Sequence, residues 1–307
     1  MKPSHYLEYA ALRVVRAMLM AFPLGFSTAL MGKLWRWLAP FNSRHNRVLT
    51  HLDWAFGDAL SRSKKQAVTR AMWESLGRTF AEGLMIDRIT SKPSRFMVEV
   101  PAFQEGWCKD ADGAIIGTHH FGNWELASAA TVLFSDKKLL GIYKRVKNPL
   151  AEQFFLDMRQ DMYPGGLYSQ QNNGAKRALE YVRNGGDMAM VADLRDGRGV
   201  PIDFFGMEMK VNPFPAALAR KYNRPLYAAQ MRRTKGVVFQ LDMVEIEVSR
   251  TDNLKHDIHI TTQRMHKQFE NWIREHPEQF MWAPYRWSGR LDATQKPMTF
   301  DPSVLEL

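Results

Sequence analysis

An α/β fold, with a central, mainly parallel or mixed sheet flanked by helices behind a helical N-terminal segment, is predicted from three observations. Apolar residues recur at helical spacing from residue 5 to about residue 85. Beyond Lys92-Pro93, short apolar runs alternate with helical patterns, the texture of strands joined by helical crossovers. The chain has 307 residues and 45% hydrophobic content, enough to fill one large core or two small ones.

Residues 5–38 predict helix broken near Pro23, and residues 42–56 a further short helix. Ser61 or Ser63 caps the next, over about 64–85, whose Val68, Met72, Leu76, Phe80 and Leu84 share one face. A strand over 114–117, a helix over about 123–133 and a strand over 139–143 follow, then helices over 150–162 and 175–183 and a strand over 188–191. A helix over 215–222 and paired strands over 226–232 and 237–248 precede a long helix over about 254–275, which Pro277 ends. Gly165-Gly166, Gly185-Gly186 and the pair Gly197 and Gly199 mark turns. None follows a strand and opens a helix as a dinucleotide or phosphate loop requires, so no nucleotide cofactor is expected.

Lys and Arg total 42 against 32 Asp and Glu, a net charge of +10 that favours phospholipid surfaces, acidic proteins, phosphorylated glycolipids or nucleic acid. The single Cys108 excludes an intramolecular disulfide and is expected to be a small buried residue in a reducing compartment. Residues 17–32 are uncharged, a run shorter than the roughly 20 residues of a spanning helix. No Ala-x-Ala site follows it, which argues against a signal peptide. Lys33-Leu-Trp-Arg-Trp37 closes the run with indole rings beside cations, the composition of an interfacial anchor. A helical hairpin packed on the protein's own core is the other reading, and the two are compatible on different faces. His256, His259, His266 and His276 lack the compact spacing of a zinc site and are expected on the surface, so no metal is expected.

The segment richest in chemistry is His120-Phe-Gly-Asn-Trp-Glu125, entered through Ala114-Ile-Ile-Gly-Thr-His119. On one continuous helix, residues five apart sit about 140° from each other, so the pair converges only if His120 precedes the first turn and Glu125 lies in it. Glu125 then orients one imidazole nitrogen while the other takes a proton from a substrate hydroxyl, a triad whose nucleophile the acceptor supplies. Lys144, Arg145 and Lys147, beyond the next strand, suit a phosphate or form a solvated loop. Asn123 and the free N–H groups of its helix start suit an oxyanion, or Asn123 is an ordinary cap. Trp272, Phe280, Trp282, Tyr285 and Trp287 line an acyl groove or pack the last helix on the sheet.

Gly117-Thr-His-His-Phe-Gly-Asn-Trp-Glu-Leu-Ala127 resembles the signature of the bacterial lipid A late acyltransferases, the lauroyl and myristoyl transferases of the lysophospholipid acyltransferase superfamily. Three further stretches match in order: Tyr143-Lys-Arg-Val-Lys-Asn-Pro149 with Arg159 after it, Asp193 with Phe204-Phe-Gly206, and Pro277-Glu-Gln-Phe-Met-Trp282 with Arg286-Trp287. Two departures are His119, beside the motif histidine, and Val191-Ala-Asp-Leu-Arg195, where the family more often has a proline before the aspartate.

The resemblance covers the chain to about Trp287. It implies a glycerol-phosphate acyltransferase-like catalytic domain over 41–307 behind a helical membrane anchor over 1–40. It further implies transfer of a fatty acyl group from acyl carrier protein to a hydroxyl of a lipid A precursor, at the cytoplasmic face of the bacterial inner membrane. His120 would be the general base and Glu125 its orienter. Asn123, Lys144, Arg145, Asn148 and Arg159 would bind substrate, with Asp193 supporting the site. No cofactor, metal, acyl-enzyme or nucleic-acid partner is implied. Acylation of a glycerophospholipid or a phosphatidylinositol mannoside is the nearest alternative, since the motif reports the reaction and not the acceptor. A hydrolase would lack its Gly-x-Ser-x-Gly elbow. A basic, non-enzymatic lipid- or nucleic-acid-binding protein would leave the pattern of His120 and Glu125 without a purpose.

Overall fold

The computed structural model describes residues 1–98, 100, 113–135, 137–171 and 173–287. Cys108, expected to be buried, lies outside them. Pro23, in an extended conformation, divides the first helical stretch where expected, into α1 (Pro3–Met20) and α2 (Leu24–Leu38). After α3 (His45–Phe56), Ser61 rather than Ser63 caps α4 (Arg62–Leu84), its hydroxyl accepting from the Lys64 N–H at 3.4 Å. Helices α2 and α4 touch through two glycines. A Cβ on Gly77 would stand 2.7 Å from the Met31 carbonyl, and one on Gly32 2.9 Å from the Glu74 carbonyl. A short α5 (Ile86–Thr90) leads to the sheet.

Among the described residues seven strands form that sheet: β1 (Phe96–Val98), β2 (Ile115–Gly122), β3 (Leu139–Tyr143), β4 (Gly166–Ser169), β5 (Asp187–Val191), β8 (Leu226–Lys235) and β9 (Val238–Ile246). Their order is β1-β9-β8-β2-β5-β3-β4, and every pairing is parallel except that of β8 with β9. The sheet is thus mixed, with β2 near its middle. Side-chain alternation divides the core in two. On one face Ile115, Met188, Leu226 and Ala228 pack with α8 (Gly174–Arg183), α9 (Phe214–Tyr222) and α10 (Leu254–Glu275). On the other, Ile116, Ala189, Tyr227 and Ala229 pack with α6 (Glu125–Ser135) and α7 (Pro149–Arg159).

Several expectations are corrected. Strand β2 runs on to Gly122, and α6 starts at Glu125 rather than near residue 123. Gly197 and Gly199 lie within a strand, β6 (Arg195–Phe204), which pairs with β7 (Met207–Val211) as a separate antiparallel hairpin. The polar run Arg195-Asp-Gly-Arg-Gly199 carries no apolar alternation to announce it. The pairing register shifts between Arg195 and Val200, where the two glycines sit. The hairpin's two-residue turn is Phe205-Gly206, at φ 58° and 77°, so this part of the third motif builds a bend in the chain. His259 and His266 are buried, not on the surface. Their rings bond carbonyl oxygens, His259 that of Pro201 and His266 those of Thr262 and Ala192.

Candidate active site

His120 and its neighbour His119 point to opposite faces of the sheet because they are consecutive residues of β2. His119 is fully buried, stacked on Phe269 and Trp272 of α10 at 4.5 and 5.9 Å between ring centroids. Burial lowers its pKa to about 3, which keeps it neutral. His120 faces the helices α6 and α7 and lines a cavity of about 320 Å³. Strands β2 and β5 are parallel neighbours in a register that sets Thr118 opposite Val191, so the residue two beyond Val191 comes level with His120. Asp193, two residues beyond β5, thereby reaches His120.

The contact is close. Asp193 Oδ1 is 2.7 Å from His120 Nδ1, and Oδ2 accepts from the His120 backbone N–H at 3.2 Å. Asp193 Oδ2 also accepts from Arg286 Nη1 at 2.8 Å. Burial pushes the Asp193 carboxyl pKa up, but the His120 imidazole and the Arg286 guanidinium outweigh it and hold the carboxyl well below the usual carboxylate range. An ionised Asp193 accepts only, so the His120 ring donates to it through Nδ1, and Nε2 is the ring nitrogen left for another partner.

This corrects the expected pairing. Glu125 Oε1 accepts from Arg159 Nη2 at 2.7 Å, and among the described residues Asp193, not Glu125, is the carboxylate hydrogen-bonded to His120. Both Glu125 and Arg159 do line the His120 cavity, together with Lys144 and the phenol-bearing Tyr143 and Tyr163. Burial, then the Glu125 carboxylate, pushes the Tyr163 phenol up to about 12, so it remains a hydrogen-bond donor. The two tyrosines were not anticipated; the second carries no motif signal.

Three other residues turn elsewhere. Asn123 is fully buried and its side-chain amide donates to Glu82 Oε2 at 2.9 Å. Asn148 caps α7, accepting from the Leu150 N–H at 3.0 Å, and its amide donates to the His5 carbonyl and to Glu8, tying α1 to α7. Arg145 Nε lies 3.0 Å from both oxygens of Glu152. Of the basic run, Lys144 is the residue that lines the cavity.

Glu82 belongs to a network that the sequence does not announce. Arg233 of β8 grips it through Nη2 and Nε at 2.6 and 3.0 Å and donates to Ser75 and Thr79 of α4. Gln279 exchanges hydrogen bonds with the Arg233 backbone. Polar residues on a long helix give no sign of burial until a cation 151 positions away is brought to them.

A second cavity, of about 400 Å³, lies between α2, α4 and α7. Trp35, Trp73, Leu76, Phe80 and Phe155 give it an apolar wall, and it shares Trp124, Glu125 and Arg159 with the His120 cavity. Of the five aromatics expected to line a groove or pack, Trp272, Phe280, Trp282 and Trp287 are buried in packing. Tyr285 is exposed, beneath the Arg47 guanidinium at 3.5 Å.

This arrangement sets an oriented imidazole beside an apolar chamber. A family model described as bacterial lipid A biosynthesis acyltransferase matches residues 1–288. A lipid A biosynthesis acyltransferase of Haemophilus influenzae is 23% identical over 237 residues, which make up 76% of this chain but only 64% of that relative's length. With a match that runs from the first helix through Trp287 and includes the His120 segment, the chain belongs to the bacterial lipid A biosynthesis acyltransferase family.

Proposed function

We propose that this protein transfers a fatty acyl group from an acyl carrier protein to a hydroxyl of a lipid A precursor, at the cytoplasmic face of the bacterial inner membrane. The observation that carries this reading is the junction of the two cavities at Glu125 and Arg159, one polar and holding His120, the other apolar. An acyl chain in the apolar chamber puts its carbonyl carbon at the junction, within range of a hydroxyl beside His120. His120 Nε2 takes the hydroxyl proton as the oxygen attacks the thioester carbonyl. The C–O bond forms, the C–S bond breaks, and the departing thiolate recovers the proton from the imidazolium, which Asp193 stabilises. Arg159 and Lys144 suit the anionic groups of donor or acceptor. In this scheme Glu125 orients the acceptor hydroxyl rather than the imidazole. The exposed Lys144, Arg145 and Lys147 and the net charge of +10 support an acidic carrier protein as donor.

Mass spectrometry of lipid A and phospholipids from cells with and without the gene tests the acceptor. One acyl chain is expected to be missing from lipid A; a loss confined to phospholipid overturns the choice.

Chain selection gives a second test. Gly83 lines the apolar chamber, and a Cβ added there meets no atom within 4 Å. Gly83→Phe should therefore shorten the preferred acyl chain, with discrimination of roughly 10- to 200-fold per methylene that no longer fits. An unchanged product profile from donors of graded length would show that the chain lies elsewhere.

Membrane association is supported by the first two helices. Phe26, Leu30 and Leu34 recur every four residues and are exposed along α2, Phe22 is exposed in the turn before it, and Leu7, Val14 and Met18 are exposed on α1. Lys33 and Arg36 lie exposed on the same helix. Among the described residues no helix is long and apolar enough to cross a membrane, which favours a hairpin lying in the interface. Replacing Phe22, Phe26, Leu30 and Leu34 together by Ser is expected to release the protein from anionic vesicles. The loss is roughly tenfold or more per side chain, at about 1.5–3 kcal/mol for each fully buried one. Undiminished co-sedimentation of the folded variant would move the membrane contact to another face.

A further inference from the structure

We propose that Arg286 is a positioning residue that acts through Asp193 to hold the His120 ring in one orientation and one tautomer. The inference rests on His120 being the general base, but its first readout needs no substrate. Arg286 is fully buried and its guanidinium is spent on three acceptors: Asp193 Oδ2 at 2.8 Å, the Asp193 carbonyl at 2.6 Å and the Met281 carbonyl at 2.8 Å. Its Cζ lies 4.4 Å from the Phe280 ring centroid. The same closing segment also grips the base directly, since the Met281 N–H donates to the His120 carbonyl at 2.9 Å and Phe280 bridges Phe121. One short stretch therefore holds both the backbone of His120 and the carboxylate that faces its ring.

The chemistry follows from burial. A fully buried carboxylate persists as an anion only beside compensating charge, and before a proton is taken His120 is neutral. In that state Arg286 supplies the charge. Without it Asp193 protonates or turns, and its hold on Nδ1–H is lost. Lysine does not substitute, because one ammonium cannot reach three acceptors placed for a planar fork.

The test uses the full chain in detergent, with Arg286→Lys, Arg286→Gln, Asp193→Asn and the double variant Asp193→Asn/Arg286→Gln. The nitrogen-15 shifts of His120 should report Nδ1–H in the parent protein and a mixture of tautomers in every variant. Turnover should fall by roughly 10²-fold or more in kcat, with KM changed by less than about threefold. On the Asp193→Asn background, removing the Arg286 charge should cost less than about threefold more in kcat, since the two act as one unit. If Arg286→Gln alone fails to fold, Arg286→Lys and the double variant, which removes both buried charges together, still answer. A folded Arg286→Lys protein that keeps the Nδ1–H tautomer overturns the proposal, as does a full further loss in the double variant. A tautomer mixture with undiminished kcat supports the positioning role and instead sinks the reading of His120 as base.

Discussion

His120→Ala is expected to slow acyl transfer by about 10²- to 10⁴-fold, the usual value of general-base assistance, with the fold and membrane association unchanged. The ring lines a cavity rather than the core, so its loss removes little packing. Because Asp193 is the carboxylate on its Nδ1, the combination of His120→Ala with Asp193→Asn should be barely worse than His120→Ala alone. His119→Phe, which keeps an aromatic ring stacked on Phe269 and Trp272, should stay near parent activity. Initial rates with purified protein decide between the two histidines. An active His120→Ala beside an inactive, folded His119→Phe would place the base on the other face of the sheet.

Breaking the Glu82–Arg233 pair is expected to cost about 3–5 kcal/mol of stability, because either single change leaves a buried charge without its partner. Glu82 is fully buried, and Arg233 makes two hydrogen bonds to it and two more to Ser75 and Thr79. Glu82→Leu and Arg233→Met should each lower the urea midpoint sharply, and the two together should recover much of the loss. The network joins α4, β8, Asn123 and Gln279 directly behind the start of α6, so the single variants should also lose activity. A shift below about 1 kcal/mol in either one would mean that the pair is solvated in solution and does not brace the site.

What was legible in the sequence follows from what is local. The bend at Pro23, the Ser61 or Ser63 cap, the strand entering His120 and the long last helix ended by Pro277 are each set by residues within a few positions of one another. The same holds for the motif that singled out His120 and Glu125. The first half of β6 was not legible, since Arg195-Asp-Gly-Arg-Gly199 has no apolar alternation, whereas Val200, Ile202 and Phe204 do alternate, as do Met207, Met209 and Val211 across the turn.

The choice of partners lay beyond local pattern. Glu125 is nearest to His120 in sequence, yet Asp193, 73 residues on, holds the ring, because β2 and β5 are sheet neighbours and their ends converge. Asn123 and Asn148 are polar residues of motifs, but burial beside Glu82 and at the start of α7 commits their amides to structure. His119 and His120 are chemically identical in the sequence. The pleat gives them different surroundings, stacking one on Phe269 and Trp272 and turning the other to the cavity, since consecutive strand residues point to opposite faces. Residue types and local spacing therefore determined most of the secondary structure and the chemistry available. Only the packed sheet decided which groups meet, because a hydrogen bond needs contact within about 3 Å, and tertiary folding is what brings distant residues to that range.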